Sequence, residues 1–417
     1  MSVRMHACAA ALAWLAFAGP LFAQDDAAAP PTLPEVVVEP EPGMPADDDG
    51  TLPPIDVTPD GEFDDALNNV DPGDFSAIYP SLSDQTLGGF DGGMRGPSIS
   101  LFENPQAIEI VTQQQIQEKG VTDMGAILEQ TVGVMVQRTG RGQSSPFVRG
   151  LTGQQVLIMV DGVRMTNATF RAGPNQYFNT IDPNMVERVE VIRGSGAVLY
   201  GADALGGVIN VVTKRSKLCG FDYATGSTVQ RFSSADTGYT GRLNIEGSVG
   251  ALGVFAGGGY GNYNNLNIGS GADFPAGVTD PQQSTSWGYD SGDIKFNYAL
   301  SDCSELVFAM QHYSGNDVFR SDRNPANRNE VFDPQQRDLT YLRWQGCGDG
   351  LISTYQITGS FLQLLEDRTD DEFGRVPPRL RTFGFADQQT GVTFAFSSDL
   401  CCAGWLSYGF DWYHDQI

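Results

Sequence analysis

The stretch VERVEVIRGSGAVLYGADALGGVINVVTK, residues Val186–Lys214, decides how this chain is interpreted. Its first part alternates apolar residues with Glu187, Arg188 and Glu190, which is typical of a strand with one core-facing and one polar face. Glycines recur through the middle of the stretch, and a second apolar run ends it. The stretch therefore predicts a small α+β unit.

Toward the N-terminus, capping residues mark two short helices. Thr112 is placed to cap a helix that ends at Gly120, a residue able to adopt the left-handed conformation of a helix end. Thr122 or Asp123 then caps a second helix, which we expect to continue through Gln130.

A hairpin is expected between these helices and the opening stretch. Val156–Val160 is a continuous apolar run followed by Asp161 and Gly162, both of which tolerate the positive φ of a tight hairpin turn. We expect Val163–Met165 to return as the partner strand.

From Phe221 onward the chain alternates apolar or aromatic residues with polar or small ones, the dyad pattern of membrane β-barrels. About nine strands are predicted: Phe221–Phe232, Gly238–Gly250, Leu252–Tyr263, Trp287–Leu300, Glu305–Tyr313, Asp338–Gln345, Leu351–Leu365, Phe385–Ser397 and Gly404–His414. A soluble sandwich is the alternative for so many strands.

The connections between these strands alternate in length, which favours a barrel over a sandwich. Tight connections are expected at Gly250–Leu252, Ser301–Ser304, Cys347–Gly350 and Ser398–Ala403, and long ones at Asn264–Ser286, Ser314–Arg337 and Glu366–Ala386. Short turns face the periplasm in such barrels and long loops face outside. Cysteines fall at several of the tight turns, so either a disulfide on that rim or free thiols are consistent with the sequence.

Several motifs resemble the plug domain of TonB-dependent outer-membrane receptors: DGVR at 161–164, VERVEVIRG at 186–194, LYG at 199–201 and GGVIN at 206–210. The resemblance implies an α+β plug domain at residues 96–216, followed by an antiparallel transmembrane β-barrel whose N-terminal part is residues 217–417. Plugged transporters have about 22 strands, so nine strands would be an incomplete barrel and the chain a fragment.

The N-terminal residues indicate export. Arg4, the apolar run Ala9–Ala18 and the small-residue site before Gln24 predict a signal peptide over residues 1–23. No Lys or Arg occurs between Arg4 and Arg95, and the whole chain has a net charge of −26. Residues 24–95 are therefore expected to be an acidic, proline-rich disordered tail in the periplasm. The negative net charge also argues against nucleic-acid binding.

Within this tail, Glu35, Val36, Val37 and Val38 form an apolar island between prolines that could add a strand to another protein. The resemblance implies a TonB box, the segment grasped by TonB, which works with ExbB and ExbD. Ile55–Thr58 is a second candidate, and accidental apolar spots in a linker are the alternative for both.

Ligand contacts are expected at the outward plug loops and plug–barrel contacts on the polar face of the opening stretch. The predicted ligand-binding residues are Arg141, Arg171, Asn175, Gln176, Tyr177 and Phe178. Packing against the inner barrel wall is the alternative for each of them. The predicted plug–barrel contacts are Glu187, Arg188, Glu190 and Arg193.

The function implied by the resemblance is import of a scarce nutrient by a monomer in outer-membrane lipid. Phe170–Asn179 resembles a plug loop of haem or siderophore receptors, which implies a small iron-containing ligand. Cobalamin or glycan uptake, and a signalling or adhesion receptor without import, are the alternatives. We find no catalytic constellation, metal-ligand cluster or cofactor motif in the sequence, so we do not expect an enzyme. For His312, packing or a position at the lipid interface is the favoured interpretation, and a position facing the ligand vestibule is the alternative.

Overall fold

The computed structural model describes residues 86–87, 99–100, 106–165, 176–201, 203–218, 221–269, 281–322, 327–348, 350–400 and 404–417. Residues Asp71–Ile417 form one compact unit. The predicted signal peptide, the TonB-box residues Glu35–Val38, the second island, Arg171 and Asn175 lie outside the described residues.

The plug is built from short strands and helices. They are β1 (Thr86–Leu87), β2 (Ile99–Ser100), β3 (Ala107–Thr112), α1 (Gln113–Lys119), α2 (Met124–Leu128), β4 (Val134–Gly140), β5 (Gln143–Val148), β6 (Val156–Val160), β7 (Val163–Arg164), β8 (Val186–Arg193), α3 (Ala197–Tyr200) and β9 (Gly207–Thr213). Short 3-10 turns cover Gly153–Gln155, Gln176–Thr180 and Pro183–Met185.

Five of these strands form a mixed sheet in the order β3-β8-β9-β6-β7. Only the β6–β9 pair is parallel, and the others are antiparallel. The hairpin β4–β5 stands apart, and β1 pairs with β2. Apolar side chains cover both faces of the central sheet, so β6 and β9 are buried along their whole length.

The local predictions for the plug are confirmed with one change of length. Thr112 caps α1 in a capping box with Gln115, and Gly120 ends the helix at φ 55°. Asp123 caps α2, which stops at Leu128 rather than Gln130. Asp161 and Gly162 turn the β6–β7 hairpin with φ of 50° and 73°, the positive values a two-residue turn of this kind requires.

A second sheet, the barrel sheet, follows the plug. Its strands are β10 (Tyr223–Ser233), β11 (Gly238–Val249), β12 (Leu252–Tyr263), β13 (Trp287–Ser301), β14 (Ser304–Asn316), β15 (Val318–Phe319), β16 (Asn329–Cys347), β17 (Thr354–Glu372), β18 (Arg379–Asp399) and β19 (Trp405–Gln416). Each long strand pairs antiparallel with the next, and β15 pairs with β16. The nine predicted strands are confirmed.

Two of the predicted long connections are wrong, because much of their sequence is strand. β16 begins at Asn329, and β17 and β18 leave a connection of only residues 373–378. Charged residues made this region look like loop, yet they pair across the strands: Arg328 contacts Asp370 at 2.7 Å, and Arg381 contacts Asp370 at 2.5 Å. Opposite charges that pair across neighbouring strands allow the sheet to continue, so polarity did not mark the strand ends.

The two faces of the barrel sheet differ as a membrane barrel requires. On β14, Gln311 and Tyr313 are buried against the plug side, whereas Met310 lies on the opposite, half-exposed face. On the side of the short connections, Cys303 and Cys347 form a disulfide with Cα atoms 5.5 Å apart. Of the two alternatives left open for the cysteines at these turns, the disulfide is present for this pair. No described helix is long and apolar enough to cross a membrane.

Candidate functional site

The plug and the barrel sheet meet through a buried carboxylate at the β6–β7 turn. Asp161 accepts hydrogen bonds from the backbone N–H and hydroxyl of Thr213, at 2.8 and 2.6 Å. From the barrel side, Lys295 Nζ lies at 3.2 Å, Gln311 Nε2 at 3.0 Å and the Tyr341 hydroxyl at 3.1 Å. One side chain of the plug therefore contacts β13, β14 and β16.

Asp161 is ionised in this position. Burial alone would raise its pKa, but the nearby Lys295 ammonium and the hydrogen bonds from Thr213 outweigh that effect and lower the pKa of the carboxyl below its ordinary value. Arg343 adds a further hydrogen bond to the Asp161 backbone carbonyl. A buried negative charge with several donors is a strong and directional attachment.

A second carboxylate, Asp182, attaches the plug to β11 and β13. Its Oδ2 lies 3.0 Å from Arg242 and 2.7 Å from the Ser291 hydroxyl. Arg242 also pairs with Asp293, so the guanidinium bridges one plug and one barrel carboxylate. Asp182 and Arg242 have no exposed side-chain surface, which makes this pair fully desolvated.

Arg337 on β16 provides a third attachment. Its Nε donates to the backbone carbonyl of Thr180 at 2.9 Å, and its Nη1 donates to Gln311 at 3.1 Å. Because Gln311 also donates to Asp161, the first and third attachments form one continuous polar network on the lumen side of the sheet.

The tip of the hairpin β4–β5 reaches the side of the barrel sheet with the longer connections. Arg141 pairs with Asp236 between β10 and β11, and its guanidinium lies 5.7 Å from the centre of the Tyr263 ring. The backbone N–H groups of Ser321 and Asp322 donate to the Thr139 carbonyl at 2.9 and 3.1 Å. The hairpin tip is therefore held by two connections of the barrel sheet and by Tyr263 at the end of β12.

A buried aromatic ladder supports this tip. Tyr263, Trp287, Tyr289 and Tyr313 stack in succession with ring centroids 4.8, 5.6 and 5.4 Å apart. The ladder spans β12, β13 and β14 on the plug side of the sheet. Gly142 at the tip has no side chain, which permits close approach to Trp287.

The predicted ligand-binding residues that the structure describes lie in different environments. Arg141 is at the hairpin tip, and the Tyr177 hydroxyl donates to Glu366 of β17 at 2.8 Å. Gln176 begins the 3-10 turn 176–180. Phe178 is completely buried in an apolar cluster of plug and barrel-sheet residues, so it presents no surface to a ligand in this structure and fits the packing alternative. An aromatic residue in a polar loop sequence gives no sign of whether it turns inward.

The predicted plug–barrel contact residues on β8 have partners inside the plug. Arg188 pairs with Glu190 at 2.8 Å, and Asn210 of β9 donates to Glu190 at 3.0 Å. Arg193 donates to the Val132 carbonyl at 2.8 Å and lies 3.6 Å from Glu109. These contacts stay within the plug, because β8 lies between β3 and β9 in the sheet.

Glu187, the remaining residue of that set, lines a cavity between the plug and the barrel sheet. The extensive plug–barrel contacts are instead made by Asp161 and Asp182. Sequence reasoning missed both carboxylates, since their barrel partners lie between 60 and 180 residues along the chain. The Asp161-Gly162 turn was a signal for backbone geometry only.

His312 lies on the outer face of β14, opposite the buried Gln311 and Tyr313. It contacts Asp338 at 2.6 Å and Asp290 at 3.5 Å on the neighbouring strands. The suggestion that it faces the vestibule is therefore wrong. Within the described ranges there is no cluster of three or more His, Cys, Asp or Glu side chains suited to a metal ion.

Comparison with known proteins gives a consistent result. Residues 100–208 match the family model described as TonB-dependent Receptor Plug Domain. The chain is 34% identical over 207 residues to the vitamin B12 transporter BtuB of Vibrio vulnificus, covering 48% of this chain and 31% of that protein. It is 43% identical over 109 residues to BtuB of Vibrio cholerae, covering 26% and 17% respectively. The chain thus matches less than a third of the length of these relatives.

Solved structures share the fold at low identity. The FrpB iron transporter from Neisseria meningitidis superposes with a TM-score of 0.60 at 17% identity, covering 74% of this chain and 47% of that one. The copper transporter OprC gives a TM-score of 0.59 at 16% identity, covering 74% and 46%.

Proposed function

Because the chain belongs to the TonB-dependent receptor family of the Gram-negative outer membrane, we propose that it takes part in TonB-energised import of a scarce nutrient. The observation that carries this proposal is how the plug is attached to the barrel sheet. Asp161 and Asp182 hold it by hydrogen bonds and ion pairs. A pulling force can break such contacts, and they re-form afterwards. A plug attached in this way can block the lumen at rest and move during transport.

The hairpin β4–β5 is suited to report ligand arrival. Its tip residue Arg141 pairs with Asp236 in an outer connection of the barrel sheet, so a ligand that displaces this pair would loosen the plug from outside. In this proposal the loosened plug releases the TonB box, Glu35–Val38, to TonB with ExbB and ExbD. Energy would then come from the inner membrane, because the outer membrane carries no nucleotide or proton gradient of its own.

We propose an iron complex, siderophore or haem, as the ligand. The support is the resemblance of Phe170–Asn179 to the plug loop of receptors for such ligands. Cobalamin is the second candidate, favoured by the 34% identity to a protein named as a vitamin B12 transporter. Growth of a receptor-deletion strain on single iron sources and on limiting cobalamin decides between them: a defect confined to cobalamin would overturn the iron proposal.

The TonB box provides the test of energised uptake. Deleting Glu35–Val38 should abolish uptake of the growth-supporting ligand and leave surface binding unchanged, because none of the predicted ligand-binding residues lies in the deleted segment. Deletion of Ile55–Thr58 tests the second island, and deletion of residues 61–64 is a length-matched control. Uptake that persists after loss of both islands would contradict the proposed mechanism.

A further inference from the structure

The segment that joins the plug to the barrel sheet is attached to β14. β9 ends at Thr213 and β10 starts at Tyr223, and we call residues 214–217, directly after β9, the junction. Arg215 of the junction donates a hydrogen bond from Nη1 to Glu305 Oε1 at 2.8 Å. The end of the plug is therefore held by a strand that lies about 90 residues further along the chain.

Glu305 is in turn held in place by β16. Glu305 and Gln345 are partners in the register of the two strands, and Gln345 Nε2 donates to the same carboxylate oxygen at 2.6 Å. Glu305 Oε1 thus accepts one hydrogen bond from the junction and one from the barrel sheet. The position of this carboxylate depends on the ends of β14 and β16 staying together.

A disulfide joins those two strand ends. The pairing of β14 with β16 ends at Ser304 and Gly346. Cys303 and Cys347 lie one residue beyond that pair and are linked by the disulfide. Terminal pairs of a sheet open more easily than central pairs. A covalent link directly beyond the last pair opposes this opening, two residues from Glu305.

The remainder of β14 and β16 does not depend on the disulfide. Residues 305–315 pair with residues 335–345 along the two strands. On the outer face, the Ser304 hydroxyl accepts a hydrogen bond from Trp344 Nε1 at 3.1 Å and lies 2.9 Å from the Tyr355 hydroxyl. Reduction of the disulfide should therefore loosen two strand ends without unfolding the sheet.

The disulfide is placed where a reductant can reach it. Both cysteines are partly exposed, and they lie at short connections, which face the periplasm in outer-membrane barrels. A periplasmic dithiol protein can reduce such a bond by thiol–disulfide exchange. The two thiols of the reductant lose two electrons and two protons and form a disulfide, while Cys303 and Cys347 gain them and become thiols.

We propose that the Cys303–Cys347 disulfide is a redox-sensitive lock on the junction between plug and barrel. In the oxidised protein it keeps Glu305 beside Gln345, so that Arg215 stays attached. In the reduced protein the ends of β14 and β16 separate more often, and Arg215 then loses this partner. The lock acts in the resting receptor, whatever solute the receptor carries.

Trypsin cleavage of the junction measures the state of the lock, because the junction contains three cleavage sites: Lys214, Arg215 and Lys217. The full chain is digested in detergent micelles, and the cut positions are quantified by mass spectrometry. The remaining cysteines of the mature chain are replaced so that reduction affects one disulfide, by Cys219→Ser, Cys401→Ser and Cys402→Ser.

Treatment of the folded protein with a phosphine reductant should raise the rate of junction cleavage roughly tenfold, because local opening becomes more frequent. The variant Cys303→Ser with Cys347→Ser should show the same rate without reductant. Cleavage after Arg375 is the internal control. It lies in the connection between β17 and β18, at the opposite end of the strands, and its rate should not change.

A second pair of variants shows whether the disulfide acts through Glu305. Glu305→Ala should raise junction cleavage about threefold in the oxidised protein, since the lost ion pair is partly exposed. Reduction should then have a smaller further effect than in the unsubstituted protein, because the two changes remove the same attachment. Glu246→Ala is the matched control: Glu246 lines the same cavity as Arg215 and forms no ion pair with it among the described contacts.

Unchanged junction cleavage after complete conversion of Cys303 and Cys347 to thiols would overturn the proposal. Equal effects of Glu305→Ala and Glu246→Ala, or an equal rise of cleavage after Arg375, would also overturn it. Uptake of ferric enterobactin and cyanocobalamin is measured separately. If neither is taken up, the proposed function fails for those ligands, and the cleavage rates still decide whether the lock exists.

Discussion

Asp161 combines two requirements that are usually met by different residues. Its backbone has φ of 50°, which the hairpin turn demands and which Asp and Asn tolerate better than most residues. Its carboxylate is buried and bonded to Lys295, Gln311 and Tyr341 of the barrel sheet. The same position therefore fixes a turn in the plug and attaches that turn to the barrel.

Replacing Asp161 by Asn should isolate the charge, because Asn has the same size and also tolerates the positive φ. Lys295 would then be a buried cation without its carboxylate partner, and we expect the seated plug to lose about 3–5 kcal/mol. The measurement is thermal unfolding together with protease cleavage of the plug in membranes. The double variant Asp161→Asn with Lys295→Met should recover part of the lost stability. If Asp161→Asn is as stable as the unsubstituted protein, the charge contributes nothing.

The same carboxylate predicts a response to acid. The pKa of Asp161 is lower in the folded protein than its ordinary value of 3.8, so its stabilising contribution is complete above that value and is lost as the pH falls through the folded-state pKa. The thermal unfolding temperature of the seated plug should thus be similar at pH 7 and pH 5 and fall below about pH 3.8. In Asp161→Asn this acid-dependent part should be missing.

At the scale of elements, the hairpin β4–β5 is held by backbone contacts as well as by Arg141. Gly140 lies directly against the carbonyl of Phe319 in β15, and a Cβ atom at this position would overlap that oxygen. The hydrogen bonds from Ser321 and Asp322 to Thr139 depend on this close approach. The glycine therefore determines how closely the hairpin tip contacts the barrel.

Gly140→Ala should displace the hairpin tip from the barrel by a few tenths of an ångström or more, at a cost of roughly 1–3 kcal/mol. Faster hydrogen exchange at the amides of Ser321 and Asp322 would report the change. Gly359→Ala is the matched control, since nothing lies within 4 Å of a Cβ there. Equal exchange in both variants would contradict the proposed close approach.

At the scale of the whole molecule, the plug is attached asymmetrically. Dense polar and apolar contacts hold it to β13, β14 and β16, whereas a groove of about 630 Å³ lies between α1 and β10. Fluctuations should therefore be larger on the groove side, because local opening there breaks fewer contacts.

Hydrogen exchange along the plug tests this asymmetry. The amides of α1 should exchange faster than those of α2, although both are short helices with side-chain caps at their N-termini. α1 faces the groove through Gln113 and Ile116, and four of the five residues of α2 are buried. Equal protection of the two helices, measured in membranes, would indicate that the plug is held evenly on all sides.

The sequence by itself determined the local structure of this protein. Capping by Thr112, the turn at Asp161 and Gly162, and the alternation along β12 are set by neighbouring residues, through backbone sterics, short-range hydrogen bonds and the dyad period of a strand. These features were predicted nearly to the residue. The plug motifs extended that prediction to the family.

The tertiary structure alone decided which polar residues meet. Asp161 finds Lys295 across 134 residues, and no periodicity or capping rule relates positions so far apart. It also decided that Phe178 is buried and that His312 faces outward. The physical reason is that burial and pairing of charges depend on how the plug sits in the barrel sheet, which long-range packing fixes and local preference does not.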